Sequence, residues 1–592
     1  MATEDESSAS ISNNNQQQLN NNLIISPIIS KNNSQQQLIK EVVVLQKNNL
    51  LQTFRDLFKN NEILDQPIDA YILPRTDAHN NEYISERDQR VKFISGFSGS
   101  SAWVIVTKES ALLWTDGRYY IQAKSELFDE WTLMKLDGPD CIMPSDWIIQ
   151  NLENGSKIGF DPKLFNFEKA KYFIKKLKNF GIICIPIIKN FVDILWIDRP
   201  KELIQKLFLL PIEECGEEIN SKLIKVREEM KKQKCDFLLI NCLDDIAWLF
   251  NLRGSDIPYT PIFYSYAIIM EINKIWLSKS INYEIGSLFD KKYYLAESPI
   301  SKMRTIKNLI ELNGMRNSNI RDSSALIKFL YWINNEISLG HLVDENRAAR
   351  QINYYREQLD KFISISFETI SAVDENAALP HYHVNENNNK IIKNESIYLF
   401  DSGGQYFDGT TDVTRTICFS KYPSKHFCET FTLVLRSHID CACARFPSET
   451  SPVLLDGIAR LPLWSNGYNF SHGVGHGVGH FLNVHEIPPY IGYRERNFGL
   501  KKGNVVTIEP GYYEENNFGI RIENCYEIVE AKNLKSGYKN FLEFEVLTFV
   551  PIQKNLIVRE LLEQKHIDWL NNYHNKCFSI VGRYLQEKGM QV

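Results

Sequence analysis

Two stretches of the chain read as long β-hairpins, and each carries two carboxylates near its middle. The first is SIYLFDSGGQYFDGTTDVTRTICF, residues 396–419, an apolar run, a Gly-rich turn and a threonine-rich run that alternates along its length. On the second strand Thr410, Asp412, Thr414 and Thr416 share one face by the period of two, so Asp412 can point at Asp401, which ends the facing strand. The other stretch runs NVVTIEPGYY, then EENN as a turn, then FGIRIENCYEIV, and places Glu509 and Glu523 in the same way. Arg521 shares a strand face with Glu523, from which it can brace the carboxylates. Between the hairpins lies HGVGHGVGH, residues 472–480. With His476 counted in, Asp401, Asp412, Glu509 and Glu523 form a set of hard oxygens and one imidazole suited to two adjacent Mn²⁺-like ions.

Any one of these residues alone reads as an ordinary turn or strand residue, and only the set argues for a metal centre. The glycines of residues 472–480 fit neither GxGxxG nor a phosphate-binding loop, which excludes nucleotide binding there. If that run is extended, His472, His476 and His480 all face one side.

At 592 residues the chain has room for three or four domains, each with its own core. A net charge of −6 offers no basic footprint for nucleic acid, and the lysines near residues 223–234 read as a solvated helix face. The first 37 residues are polar and rich in Asn and Gln, so they lack a leader's apolar segment and are expected to be disordered. No apolar run approaches the ~18–20 residues of a membrane span, and a soluble, cytoplasmic protein is expected. The eleven cysteines sit mostly in apolar contexts and read as reduced thiols, while the lone CxC of Cys441 and Cys443 lacks a second pair for zinc.

After the 1–37 tail, strand-like DAYILP, SSAWVIVT and SALLWTD with helix-like RYYIQAKSELF define an α/β unit over 38–197. A second unit over 198–303 repeats a similar order with CDFLLI, DDIAWLFNL, PIFYSYAIIM and KIWLSKS, as a degenerate and shortened duplicate. The remainder, 304–592, alternates amphipathic helices with the strands already named and reads as an α+β layer architecture.

The segments DSGGQYFDGTTDVTRT, HGVGHGVGHFLNVHE, TIEPGYY and FGIRIEN, in this order and spacing, resemble the creatinase and aminopeptidase P family of dinuclear metallopeptidases. PIDAYILPRTDAHNNEYI, FISGFSGSSAWVIVT, LLWTDGRYYIQA, FNLRGSD, LTFVPIQ and DWLNNYH extend the resemblance to its cytosolic aminopeptidase P branch. The resemblance implies a pita-bread catalytic domain behind two related α/β domains. It also implies two Mn²⁺ per subunit, one held by Asp401, the other by His476 with Glu509, and bridged by Asp412, Glu523 and a hydroxide. Glu509 becomes the proton acceptor, His485 with His381 stabilises the oxyanion, and His472 and Arg521 join them in holding substrate. His383 has only a weak claim, and His480 departs from the family, as a packed or solvent-facing residue. The implied reaction releases the N-terminal residue from peptides with proline second, in a homodimer. The alternatives are a prolidase that cuts Xaa-Pro dipeptides and a non-catalytic peptide- or histone-binding module.

Overall fold

The structure, a computed structural model, describes residues 49–589 apart from 139–140, 204, 271–273, 290–292, 386–387, 494–497 and 535–538. The expected disorder of 1–37 lies outside the described residues. The chain divides into Met1–Gln52, of which only 49–52 are described, and one large unit, Thr53–Val592, which holds everything below.

The large unit begins with a six-stranded mixed sheet in the order Thr132–Lys135, Ala111–Thr115, Trp103–Thr107, Ala70–Pro74, Lys157–Phe160, Ile183–Pro186. Its middle strand AYILP is buried at every position, as a strand covered on both faces must be. Helices Pro144–Asn151 and Phe167–Lys178 contribute Ile148, Ala170 and Leu177 to the core under it.

A second sheet follows, in the order Ala267–Met270, Phe237–Ile240, Ile275–Ser278, Tyr293–Ala296. Its first strand in the chain, Phe237–Ile240, has one antiparallel and one parallel neighbour, as Ala70–Pro74 has. Among the described residues, nothing in it corresponds to Ala111–Thr115 and Thr132–Lys135. Four strands therefore repeat the run from Trp103–Thr107 to the edge strand Ile183–Pro186 of the first sheet, which is the physical content of a degenerate duplicate.

The rest of the chain is α+β. It opens with the 30-residue helix Leu309–Ser338, whose start is a capping box between Asn308 and Glu311. Helices Lys425–Ala442 and Pro452–Trp464 lay Phe427, Phe431, Val434 and Leu455 against Ile508, Ile520 and Tyr526 of the strands. The antiparallel strands form a six-stranded sheet and smaller sheets of two or three strands. Helices on one side of curved antiparallel sheets match the expected layers.

A buried ionic network joins these parts. The Arg304 guanidinium donates to Asp244 at 2.6 Å, Asp245 at 2.8 Å and Glu486 at 2.8 Å, and Lys307 also pairs with Glu486. Every side chain in it is at most 6% exposed. Such a group is tolerated because each charge faces an opposite one. It fixes helix Leu243–Leu249 of the second sheet's unit to the segment that begins one residue after His485.

Candidate metal centre

Both carboxylate-bearing hairpins are kinked, with Asp412, Glu509 and Glu523 at the kinks and Asp401 two residues before the first. In the first, Ser402 pairs with Val413 and Gln405 with Thr410, so Gly403 stands opposite Asp412 in a register that continues across the break. The expected single strand through Thr410, Asp412, Thr414 and Thr416 is therefore two strands, Gly409–Thr410 and Val413–Cys418, in different sheets. The face alternation survives because the register does. Gly403 is required at the kink, since a Cβ there would lie 2.0 Å from the Thr411 carbonyl oxygen.

In the second hairpin, Ile508 pairs with Asn524 and Gly511 with Arg521, which leaves Glu509 opposite Glu523 at the break. The freed N–H groups find partners elsewhere. Glu509 N–H donates to Val474 O at 2.7 Å and Glu523 N–H to Thr414 O at 3.2 Å. The second bond, with Thr414 Oγ1 donating to Glu523 at 2.8 Å, pins one hairpin's kink to the other hairpin's strand. Asp401, Asp412 and Glu523 consequently offer oxygens within 4.8 Å of one another, and a ring nitrogen of His476 lies as close to oxygens of Glu509 and Glu523.

His476 lies on strand Gly475–Gly477, which runs so close to its neighbour that a Cβ on Gly475 would meet Thr507 O at 2.0 Å. Its Nδ1 is 2.8 Å from Gly477 O, an acceptor, so Nδ1 carries a proton and Nε2 is the atom turned to the carboxylates. Nε2 lies 3.4 Å from Asp412 and 3.5 Å from Glu509. Arg521 donates to Asp401 at 2.6 Å, to Thr414 Oγ1 at 3.0 Å and to Tyr513 OH at 2.7 Å, the bracing role read for it.

The electrostatics of the centre call for cations. Burial raises the Asp401 carboxyl, Arg521 opposes and Asp412 adds to it, with the outcome pushed up to about 7. Glu509 and Glu523 are also raised, by burial first. Burial lowers His476, but the bond to Asp412 and the charge of Glu509 outweigh it and push the imidazole up to about 9. Asp401 Oδ1 is buried with no hydrogen-bond partner. A cluster of buried carboxylates with one oxygen left over and an imidazole Nε2 aimed among them fits divalent cations, which would take the place of the Nε2 proton.

A cavity of about 560 Å³ opens onto this cluster. His472 lines it, with Nε2 2.9 Å from Tyr513 OH, and burial followed by Arg521 lowers its pKa to about 3. His381 lines it too, stacked on Tyr119 at 5.2 Å, and burial followed by Arg118 holds it well below the ordinary imidazole value. His485 stands 4.4 Å, ring to ring, from His476. His383 is not in the cavity wall and faces Glu368 at 3.3 Å, while His480 is 2% exposed and packed rather than solvent-facing.

Three participants escaped the sequence reading. Glu82 reaches from the first sheet's unit to accept from His485 Nδ1 at 2.9 Å, and against burial the His485 ring and Arg118 hold its carboxyl well below the usual range. Arg118, paired with Asp116 at 2.8 Å, and Tyr119 come from the same unit. All three lie inside PIDAYILPRTDAHNNEYI and LLWTDGRYYIQA, segments already singled out by their wording but given no role.

The fold and the convergence of buried carboxylates with an imidazole are those of a metallopeptidase, and sequence likeness agrees. Residues 313–530 match metallopeptidase family M24 and 540–591 its C-terminal region, while 51–186 and 198–277 match Creatinase/Prolidase N-terminal domains. The chain belongs to metallopeptidase family M24. It is 41% identical to Xaa-Pro aminopeptidase app-1 of Caenorhabditis elegans, over 91% of this chain and 97% of that one. It is 36% identical to Xaa-Pro aminopeptidase ApepP of Drosophila melanogaster, over 91% and 96%. A crystal structure of X-prolyl aminopeptidase from C. elegans, described as a cytosolic enzyme with a di-nuclear active site, superposes with a TM-score of 0.90 over 92% of this chain and 97% of that one.

Proposed function

We propose that this chain is an Xaa-Pro aminopeptidase, which removes the first residue of peptides that have proline in the second position, with two Mn²⁺ as its metals. The observation that carries the reading is the complete donor set converging at the two hairpin kinks. Asp401 would hold one cation, His476 and Glu509 the other, and Asp412 and Glu523 both. Two divalent cations held there supply an acidified water at neutral pH and polarise the scissile carbonyl.

The chain's own residues carry the proton traffic. Glu509, at the edge of the cluster and open to the cavity, accepts the proton of the attacking water and passes it to the departing proline nitrogen. Glu82 holds His485 Nδ1, so Nε2 is the atom left to face the oxyanion as it forms. His381, kept neutral, and His472 form the walls that orient the peptide, and Arg521 keeps Asp401 in place. A 560 Å³ cavity suits a short length of peptide rather than a folded protein.

The test is hydrolysis of an Xaa-Pro-Xaa tripeptide and an Xaa-Pro dipeptide side by side after loading with Mn²⁺. The tripeptide is expected to be cut and the dipeptide spared. Cleavage of the dipeptide alone would make the chain a prolidase, and parallel loading with Zn²⁺ or Co²⁺ would rank the metals.

Helix Pro452–Trp464 exposes Leu454, Ile458, Leu461 and Trp464 at 64%, 40%, 60% and 51%, spacings that put them on one face. An apolar stripe of this kind supports a homodimer joined through the catalytic domain. Sedimentation should return twice the chain mass, and Trp464→Glu should shift it towards the monomer. A native chain that sediments as a monomer at micromolar concentration would remove the dimer. The described residues include no helix long and apolar enough to cross a membrane, and a cytosolic location fits the C. elegans neighbour.

A further inference from the structure

The cavity continues past the carboxylate cluster along a wall formed by the end of strand Ala70–Pro74 and the residues after it. Arg75 stands in that wall. Its backbone N–H donates to Ala102 O at 2.9 Å, which extends the strand and fixes the side chain's origin. One Nη donates to the Glu82 carbonyl oxygen, while Nε is buried with no hydrogen-bond partner.

Among the described residues Arg75 forms no ion pair, unlike the other two guanidiniums of the cavity. Arg118 is neutralised by Asp116 and Arg521 by Asp401. Burial pulls the Arg75 pKa down, and the more distant Glu82 carboxylate only partly offsets it. A half-buried cation with donors to spare is costly until an anion meets it, and a planar guanidinium meets a carboxylate best. Lys169, on the first turn of helix Phe167–Lys178, is a second, exposed cation in the same wall. Asn80, Asn81 and Asn166 line the space between them with polar groups.

We propose that Arg75, with Lys169 at the exposed end, forms a subsite for a carboxylate carried by the peptide on the far side of the scissile bond. This rests on the aminopeptidase reading, which puts the substrate's amine at the carboxylate cluster and its downstream residues along this wall. The carboxylate has two sources, the C-terminus of a very short peptide or an acidic side chain just after the proline.

The test uses full-length, Mn²⁺-loaded chain with two matched pairs. Xaa-Pro-Ala against its C-terminal amide reads the terminal carboxylate, and Xaa-Pro-Glu-Ala amide against Xaa-Pro-Gln-Ala amide reads the side chain. In at least one pair the charged member is expected to have the higher kcat/KM, through KM, by about 10- to 100-fold. Arg75→Met should collapse that ratio and Arg75→Lys restore part of it. Binding of the product Pro-Ala against its amide, by titration of the same loaded chain, repeats the comparison without any cleavage. A ratio near one in both pairs and in the titration overturns the subsite, as does a ratio that Arg75→Met leaves intact. Failure of the aminopeptidase reading looks different, because then neither the charged nor the neutral tripeptide is cut.

Discussion

Asp412→Ala is expected to lose metal and activity together, with activity down by more than about 10²-fold, since even residues that only support metal ligands are worth ~10–100-fold. Glu523 belongs to both donor groups of the centre, while Asp412 joins Asp401 and Glu523 in one and also lies within reach of His476 and His485. Asp412 stands 3.4 Å from His476 Nε2 and within reach of Asp401, so its carboxylate joins the two sides of the centre as Glu523 does. The metal-free protein should respond in the opposite sense. Burial first, with the Asp412 charge adding to it, pushes Asp401 up to about 7, and removing one of four crowded carboxylates relieves that added repulsion, so the chelated variant should melt no lower than the chelated native chain. The native chain should gain stability on adding Mn²⁺, by about 2.7 kcal/mol at a hundredfold excess over the dissociation constant, and the variant should gain little. Elemental analysis and melting with and without Mn²⁺ check both halves. Two metals still bound and full activity in Asp412→Ala would sink the assignment.

His485→Ala should keep both metals and a similar KM while kcat falls by about 10²–10⁴-fold. The structure makes this a sharp test, because His485 is close enough to Asp412 and His476 to count as a possible ligand itself. What argues against ligation is the bond of its Nδ1 to Glu82, which orients the ring towards the cavity as a donor. His476→Ala should lose metal affinity instead, and part of its rate should return in excess Mn²⁺. Metal rescue of His485→Ala, or an unchanged kcat, would exchange the roles of the two histidines.

The carboxylates were legible because strand alternation is local. Asp401, Asp412, Glu509 and Glu523 could be paired from their spacing in two hairpins, and the glycines around His476 marked close backbone contact. The resemblance then singled out His381, His472 and His485, all of which the structure brings to one cavity. The kinks were not legible. They arise where Glu509 and Glu523 give up each other's backbone for Val474 and Thr414, partners set by how separate hairpins cross.

Distance along the chain marks what sequence could not reach. Glu82 and His485 are 403 residues apart and meet through one 2.9 Å bond. The Arg304 network likewise gathers Asp244, Asp245 and Glu486, and the burial of His480 follows from the same packing of units. By itself the sequence determined the α+β class and the pairing of Asp401 with Asp412 and of Glu509 with Glu523 in two hairpins, since those follow from periodicity and side-chain chemistry, while His476 was singled out by resemblance. Only the tertiary structure decided where the hairpins bend, which far residues roof the cavity and which cation in it is left without an anion. Those depend on contacts between segments hundreds of residues apart, where no local period carries information.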